Sequence, residues 1–186
     1  MKTDISDLIG KLDTSSDKAA EQVIKKIVAL GKTSVPALVK AAKNPEAPRI
    51  RKWSLQALGA MGDKRGAPLL LAALKDERMT VRLHAIRGLG RMKYKKGVKE
   101  IASLLKDESG GIRVNALYAL TEIGDASVAA QIQKSLSDPQ WYVRQAAANA
   151  CGEFRIVQAK KKLKELLKTD GRKAVRTAAE QALELL

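Results

Sequence analysis

The chain has 186 residues, 45% of them hydrophobic but only 3% aromatic, and 35 Lys plus Arg against 20 Asp plus Glu leave a net charge of +15. A chain of this length buries roughly 70% of its unfolded surface, and an apolar content carried mostly by Ala, Leu, Val and Ile suits closely packed helices better than an aromatic-rich sandwich. A single cysteine and a single histidine exclude an internal disulfide and a Cys/His metal cage, and the absence of any run of about 18 apolar residues excludes a membrane-spanning helix.

The N-terminal stretch "MKTDISDLIGKLD" is too acidic and too short in apolar content to be a signal peptide, so a soluble, cytoplasmic protein is expected. From there the chain repeats itself. Apolar helical segments, "VPALVKAAK", "APLLLAALK", "GVKEIASLLK", "VAAQIQKSLS" and "AKKKLKELLK", are each followed by a second segment of recurring pattern. The second segments are "NPEAPRIRKWSLQALG" from Asn44, "DERMTVRLHAIRGLG" from Asp76, "DESGGIRVNALYALT" from Asp107, "DPQWYVRQAAANACG" from Asp138 and "DGRKAVRTAAEQALE" from Asp170. The three middle copies are spaced by 31 residues; the copy at Asn44 carries one insertion before its Arg, and the copy at Asp170 is displaced by one residue. Six units of two short helices account for all 186 residues, as a single domain over 1–186 with approximate repeats 1–31, 32–62, 63–93, 94–124, 125–155 and 156–186. The first unit diverges most, with Ala20 where the others carry Arg.

This pattern, an apolar helix, an Asp, turn residues and then Val-Arg followed by small residues in phase, resembles the HEAT-like repeats of the phycobilisome-lyase type over nearly the whole chain. The resemblance implies an all-α fold, a right-handed α-solenoid of six helix pairs, in which the Val-Arg helices line the concave side. It implies no enzyme by itself, since such repeats occur in lyases, hydroxylases, adaptors and nucleic-acid-binding proteins.

A helix turns about 100° per residue, which sorts each Val-Arg helix into faces. In the copy from Asp76, Val81, Ala85, Gly88, Leu89 and Met92 share one side, and Thr80, His84, Arg87 and Arg91 lie opposite. The apolar side is the buried one. Arg82 falls at the edge of that side, where a cation needs a partner. Its equivalents are Arg51, Arg113, Arg144 and Arg176, each with an Asp about six residues before it: Asp76, Asp107, Asp138 and Asp170 for the later four. Six residues are about 240° of rotation, so pairing between neighbouring repeats is expected, as a structural ladder.

The opposite stripe collects Arg49, Trp53 and Gln56, then Thr80, His84, Arg87 and Arg91, then Asn115, Tyr118 and Glu122, then Tyr142, Asn149 and Glu153, with Lys52 and Trp141 beside it. Aromatic rings mixed with Arg, Asn and Gln are enriched at binding surfaces, so this face is the candidate site. Lysines instead crowd the first helices and their approaches, at Lys93, Lys95, Lys96 and Lys99 and at Lys160, Lys161, Lys162, Lys164 and Lys168, as a solvated surface. Cys151 occupies a position that neighbouring repeats fill with Leu and is expected to be a small buried hydrophobe.

Catalytic parts are sparse. His84 stands alone, no His-Glu dipeptide of the kind HEAT-like hydroxylases use for iron is present, and no Gly-rich phosphate loop occurs. No cofactor or metal is expected. The favoured function is a non-enzymatic protein-binding scaffold that holds a protein or acidic peptide on the concave stripe. The alternative is a nucleic-acid-binding module in which cations neutralise phosphates and Trp53, Tyr118 or Tyr142 stack on bases. A third option, a HEAT-like DNA glycosylase, would use Glu122 or Glu153. The segment "QALELL" ends the last helix with Ala182, Leu183 and Leu186 placed to face outward, which suggests self-association through the C-terminal repeat.

Overall fold

The computed structural model describes residues 4–186, and among them are twelve α-helices and no strand. They come in pairs: α1 (Ile5–Gly10) with α2 (Asp17–Ala29), α3 (Val35–Ala42) with α4 (Pro48–Met61), α5 (Ala67–Ala73) with α6 (Met79–Arg91), α7 (Val98–Ser103) with α8 (Gly110–Ile123), α9 (Ala129–Lys134) with α10 (Trp141–Glu153), and α11 (Lys160–Thr169) with α12 (Lys173–Glu184). The chain is an all-α solenoid. It divides into two compact units, Met1–Tyr94 and Lys95–Leu186, of three pairs each. None of the helices is long and apolar enough to cross a membrane.

Within each unit a second helix packs on its own first helix and on the second helices of adjacent pairs: α4 against α2, α3 and α6, and α10 against α8, α9 and α12. This double packing widens the buried arc beyond one stripe. In α6, Ile86 and Gly90 are buried together with Val81, Ala85, Gly88 and Leu89. The largest fully buried side chains are aliphatic, Leu38, Leu58 and Leu89 in the first unit and Ile112, Leu117 and Leu120 in the second, each worth about 1.5–3 kcal/mol of burial. Cys151 is fully buried in α10, and burial pushes its thiol up to about 12, so it behaves as an inert small hydrophobe.

Two helix crossings depend on small residues. A Cβ on Gly88 would lie 2.7 Å from the Cα of Gly59, so α4 and α6 meet backbone to backbone. The same register recurs in the second unit, where a Cβ on Gly152 of α10 would lie 2.9 Å from the Cα of Ala182 in α12. Ala182 is thus fully buried against the neighbouring helix, which corrects its placement on an outward-facing end. Leu183 is half-buried, and the exposed apolar residue there is Leu185.

Helix stops follow the same phase. Gly62 and Gly124, eleven residues after Arg51 and Arg113, take the left-handed conformation at φ 67° and 70°, which glycine adopts without strain. Lys93 and Arg155 hold the equivalent place after Arg82 and Arg144 at φ 47° and 51°. Proline enters the first turn of α3, α4 and α5, where its missing N–H costs nothing.

The recurring Asp and Arg form a two-sided clamp. Arg113 donates from Nε and Nη2 to the two carboxylate oxygens of Asp138 at 2.7 and 2.9 Å, and from Nη1 to the main-chain oxygens of Asp107 and Glu108. Arg144 repeats this with Asp170 and with the carbonyls of Asp138 and Pro139. Arg51 reaches Asp76 at 2.8 Å in the first unit. Each Asp in turn accepts the main-chain N–H two residues on, as Asp138 does from Gln140 and Asp170 from Arg172. The Arg therefore does reach its own turn, through backbone carbonyls; the 240° argument holds only for the carboxylate. Arg176 and Arg82 likewise donate to the carbonyls of Asp170 and Asp76.

These bonds govern the carboxylates. Arg78, which also donates to Asp76, and Arg51 hold that carboxyl at about 2; the Arg144 guanidinium holds Asp170 below the usual carboxylate range. Arg78 is thereby committed to its own turn.

Candidate binding surfaces

In the first unit, Asp17 and Glu21 of α2, Lys52, Trp53 and Gln56 of α4, and Thr80, Leu83, His84 and Arg87 of α6 line a cleft of about 190 Å³. Six of these come from the candidate stripe or its edge, Trp53, Gln56, Thr80, His84 and Arg87 with Lys52 beside them, so the structure brings them together. Asp17 and Glu21 escape the sequence pattern because α2 belongs to the divergent first repeat.

Trp53 is corrected. The wheel of α4 places it on the solvent stripe, yet the ring is only 3% exposed. A wheel treats a helix in isolation, whereas the segment before α2 folds over this one: the indole Nε1–H donates to the carbonyl oxygen of Thr14 at 3.2 Å. The Lys52 ammonium lies 3.6 Å from the ring centroid and 3.6 Å from Asp17 Oδ1, closing the remaining side. Trp53 is a core residue with a satisfied donor, and it forms the floor of the cleft.

His84 is half-buried with its ring centroid 6.2 Å from that of Trp53. Burial, followed by the charges of Lys52 and Arg87, lowers it to about 4, so it is neutral at pH 7. The Gln56 carboxamide oxygen is buried without a hydrogen-bond partner. Arg49 is exposed and lies 3.5 Å from Asp13, while Arg87 and Arg91 are exposed.

The second unit holds the exposed rings. Tyr118 is 53% exposed, and Trp141 and Tyr142 are each 36% exposed at the start of α10. The last two are neighbours edge to face, with centroids 5.7 Å apart and planes at 84°. Arg172 lies 5.8 Å from the Trp141 ring. Tyr142 rests on Gly110 at the start of α8, where any Cβ would collide with the phenol hydroxyl. Asn115 donates to the carbonyl of Gly111 at 2.7 Å, and Glu122 and Glu153 are exposed.

Half-buried Asn149 lines a groove of about 350 Å³ between α10 and α12, with Gln145, Lys173, Ala174, Thr177, Ala178 and Gln181. Of these only Asn149 belongs to the candidate set. Gln145 and Thr177 were legible in principle, since they hold the register that Lys52 occupies in α4, one residue after the clamp Arg. Among the described residues, no group of three or more His, Cys, Asp or Glu could hold a metal ion.

A model of HEAT repeats matches residues 5–82, 68–133 and 111–184. No curated protein matches the sequence. Among solved structures, the complex of CpcE and CpcF of phycocyanin lyase from Nostoc sp. PCC7120 is 22% identical, with 96% of this chain and 75% of that one covered at a TM-score of 0.67. An archaeal HEAT-like repeats protein from Thermococcus onnurineus NA1 is 17% identical, with 100% and 81% covered at 0.66. A designed armadillo repeat protein in complex with the peptide (KR)4 is 15% identical, with 98% and 99% covered at 0.66. Identities this low establish the fold and no more.

Proposed function

The chain belongs to the HEAT-repeat family, and from that premise we propose that it is a non-enzymatic protein-binding scaffold which uses the exposed face of its second helices, the concave face in family terms. The carrying observation is the exposure of Tyr118, Trp141 and Tyr142 on second helices, in a chain with only six aromatic residues. Large rings left in water, one of them, Trp141, beside Arg172, supply contact area and oriented polar groups. The designed armadillo neighbour holds a basic peptide; with a net charge of +15, this chain suits a partner of the opposite sign.

The same charge favours nucleic acid as the competing partner, and salt separates the two. Titration against random RNA and DNA at two salt concentrations should give weak binding that collapses with salt. Alanine at Arg87, Arg91, Tyr118, Trp141 or Tyr142 should weaken the protein partner by about 1 kcal/mol or more each, while alanine at Lys160, Lys161 and Lys162 leaves it unchanged. Tight nucleic-acid binding lost equally from both sets of variants would replace the scaffold reading.

A further inference from the structure

We propose that the groove between α10 and α12 is a site for an extended, acidic segment of a partner protein, read through its main chain by a row of carboxamides and anchored at one end by the Trp141–Tyr142 pair. The proposal rests on the protein-binding reading and assigns that reading a location and a ligand chemistry.

The groove wall on α10 carries Gln145 and Asn149, and the wall on α12 carries Lys173, Thr177 and Gln181. Each set is spaced by four residues, about 6 Å along a helix. An extended chain repeats its side-chain direction every two residues, about 6.7 Å, so successive groups on a wall meet alternate residues of such a chain. A carboxamide offers two donors and an acceptor and can bond the N–H and C=O of one peptide residue together. Among the described residues, the side-chain carboxamides of Gln145, Asn149 and Gln181 make no hydrogen bond within the chain, whereas that of Asn115 donates to the carbonyl of Gly111.

The ends and the charge decide the occupant. Trp141 lies one turn before Gln145 on α10, with its orientation set by the edge contact with Tyr142, which sits on Gly110. This is a fixed apolar face for one side chain of the ligand. Arg172 stands 5.8 Å from the same ring, and Lys173 is in the groove wall. No carboxylate lines the groove, and the nearby Asp138 and Asp170 are held by Arg113 and Arg144. Exposed Glu153 lies one turn beyond Asn149, at the end of α10 away from Arg172 and Lys173, so the local field favours an acidic side chain at the Trp141 end of the groove. A groove that tracked phosphates would present a line of cations; here Lys173 is the single cation in the walls and the rest are amides, a hydroxyl and alanines.

The test uses the full chain, isotopically labelled, titrated with acetyl-(Glu-Leu)4-amide. Its controls are the same peptide N-methylated at alternate bonds, acetyl-(Lys-Leu)4-amide and a thymidine oligonucleotide. The expected result is saturable shifts of the side-chain amide resonances of Gln145, Asn149 and Gln181 and of the Trp141 indole. Affinity should fall about tenfold on N-methylation and on Asn149→Ala or Gln181→Ala, and the lysine peptide should not bind. These variants alter half-exposed groups, so the amide spectrum reports retained folding. Absence of saturable binding, unchanged affinity on N-methylation, or equal binding of the lysine peptide overturns the groove. Shifts confined to residues of the first unit also overturn it while leaving the scaffold reading intact. Tighter binding of the oligonucleotide through Arg172 and Lys173 overturns both.

Discussion

Arg113 and Asp138 are joined by two hydrogen bonds, Nε to Oδ2 at 2.7 Å and Nη2 to Oδ1 at 2.9 Å, with both side chains about nine-tenths buried. The same guanidinium holds the turn that begins its own helix, so one residue ties two helix pairs together. Removing it leaves a buried carboxylate without its cation, held only by the Gln140 N–H, and two carbonyls without their donor. Arg113→Ala should cost about 3 kcal/mol, measured by urea unfolding. Arg51→Ala, whose side chain is 31% exposed, should cost less; equal, negligible losses would mean that the clamp contributes no stability.

Trp53→Ala should act on the fold. The ring is buried and its indole N–H is paired with Thr14, so truncation opens a cavity and should cost about 3–5 kcal/mol. Tyr118→Ala, on a ring that stays in water, should be close to neutral by the same measurement.

Two substitutions should stabilise. Lys93 and Arg155 hold the left-handed stop that Gly62 and Gly124 hold elsewhere, and a Cβ in that conformation costs about 1 kcal/mol. Lys93→Gly and Arg155→Gly should each raise the melting temperature, whereas Gly124→Ala should lower it. A loss of stability in the glycine variants would show that the greater freedom of the unfolded chain outweighs the relieved strain.

Acid should destabilise the first unit in two separate steps. The folded pKa of His84, about 4, lies below its ordinary 6.5. The unfolded chain therefore takes up a proton that the folded chain refuses, and stability present above pH 6.5 is lost as pH falls toward 4. Asp76 is lowered from 3.8 to about 2, so its contribution is present above 3.8 and is lost only as pH falls through 2. In unfolding midpoints measured from pH 8 down to about 1.5, His84→Gln should flatten the upper window and leave the lower one.

The sequence by itself determined the repeat, the helix pairing and the apolar stripe on which each second helix packs. Those follow from local periodicity, and a 31-residue recurrence states the same helical wheel several times over. It also singled out the Asp and Arg that clamp the turns, because a cation at the edge of an apolar face requires a partner. Only the tertiary structure decided which rings reach water. Trp53 and Tyr118 both fall on the solvent side of their wheels, yet Trp53 is covered by Thr14, 39 residues earlier in the chain, and Tyr118 is not. The groove's residues were partly legible, Asn149 from the stripe and Gln145 and Thr177 from their register, but the groove itself was not, since its two walls come from helices that meet through Gly152 and Ala182, and no single helix carries the information that a second one stands opposite it.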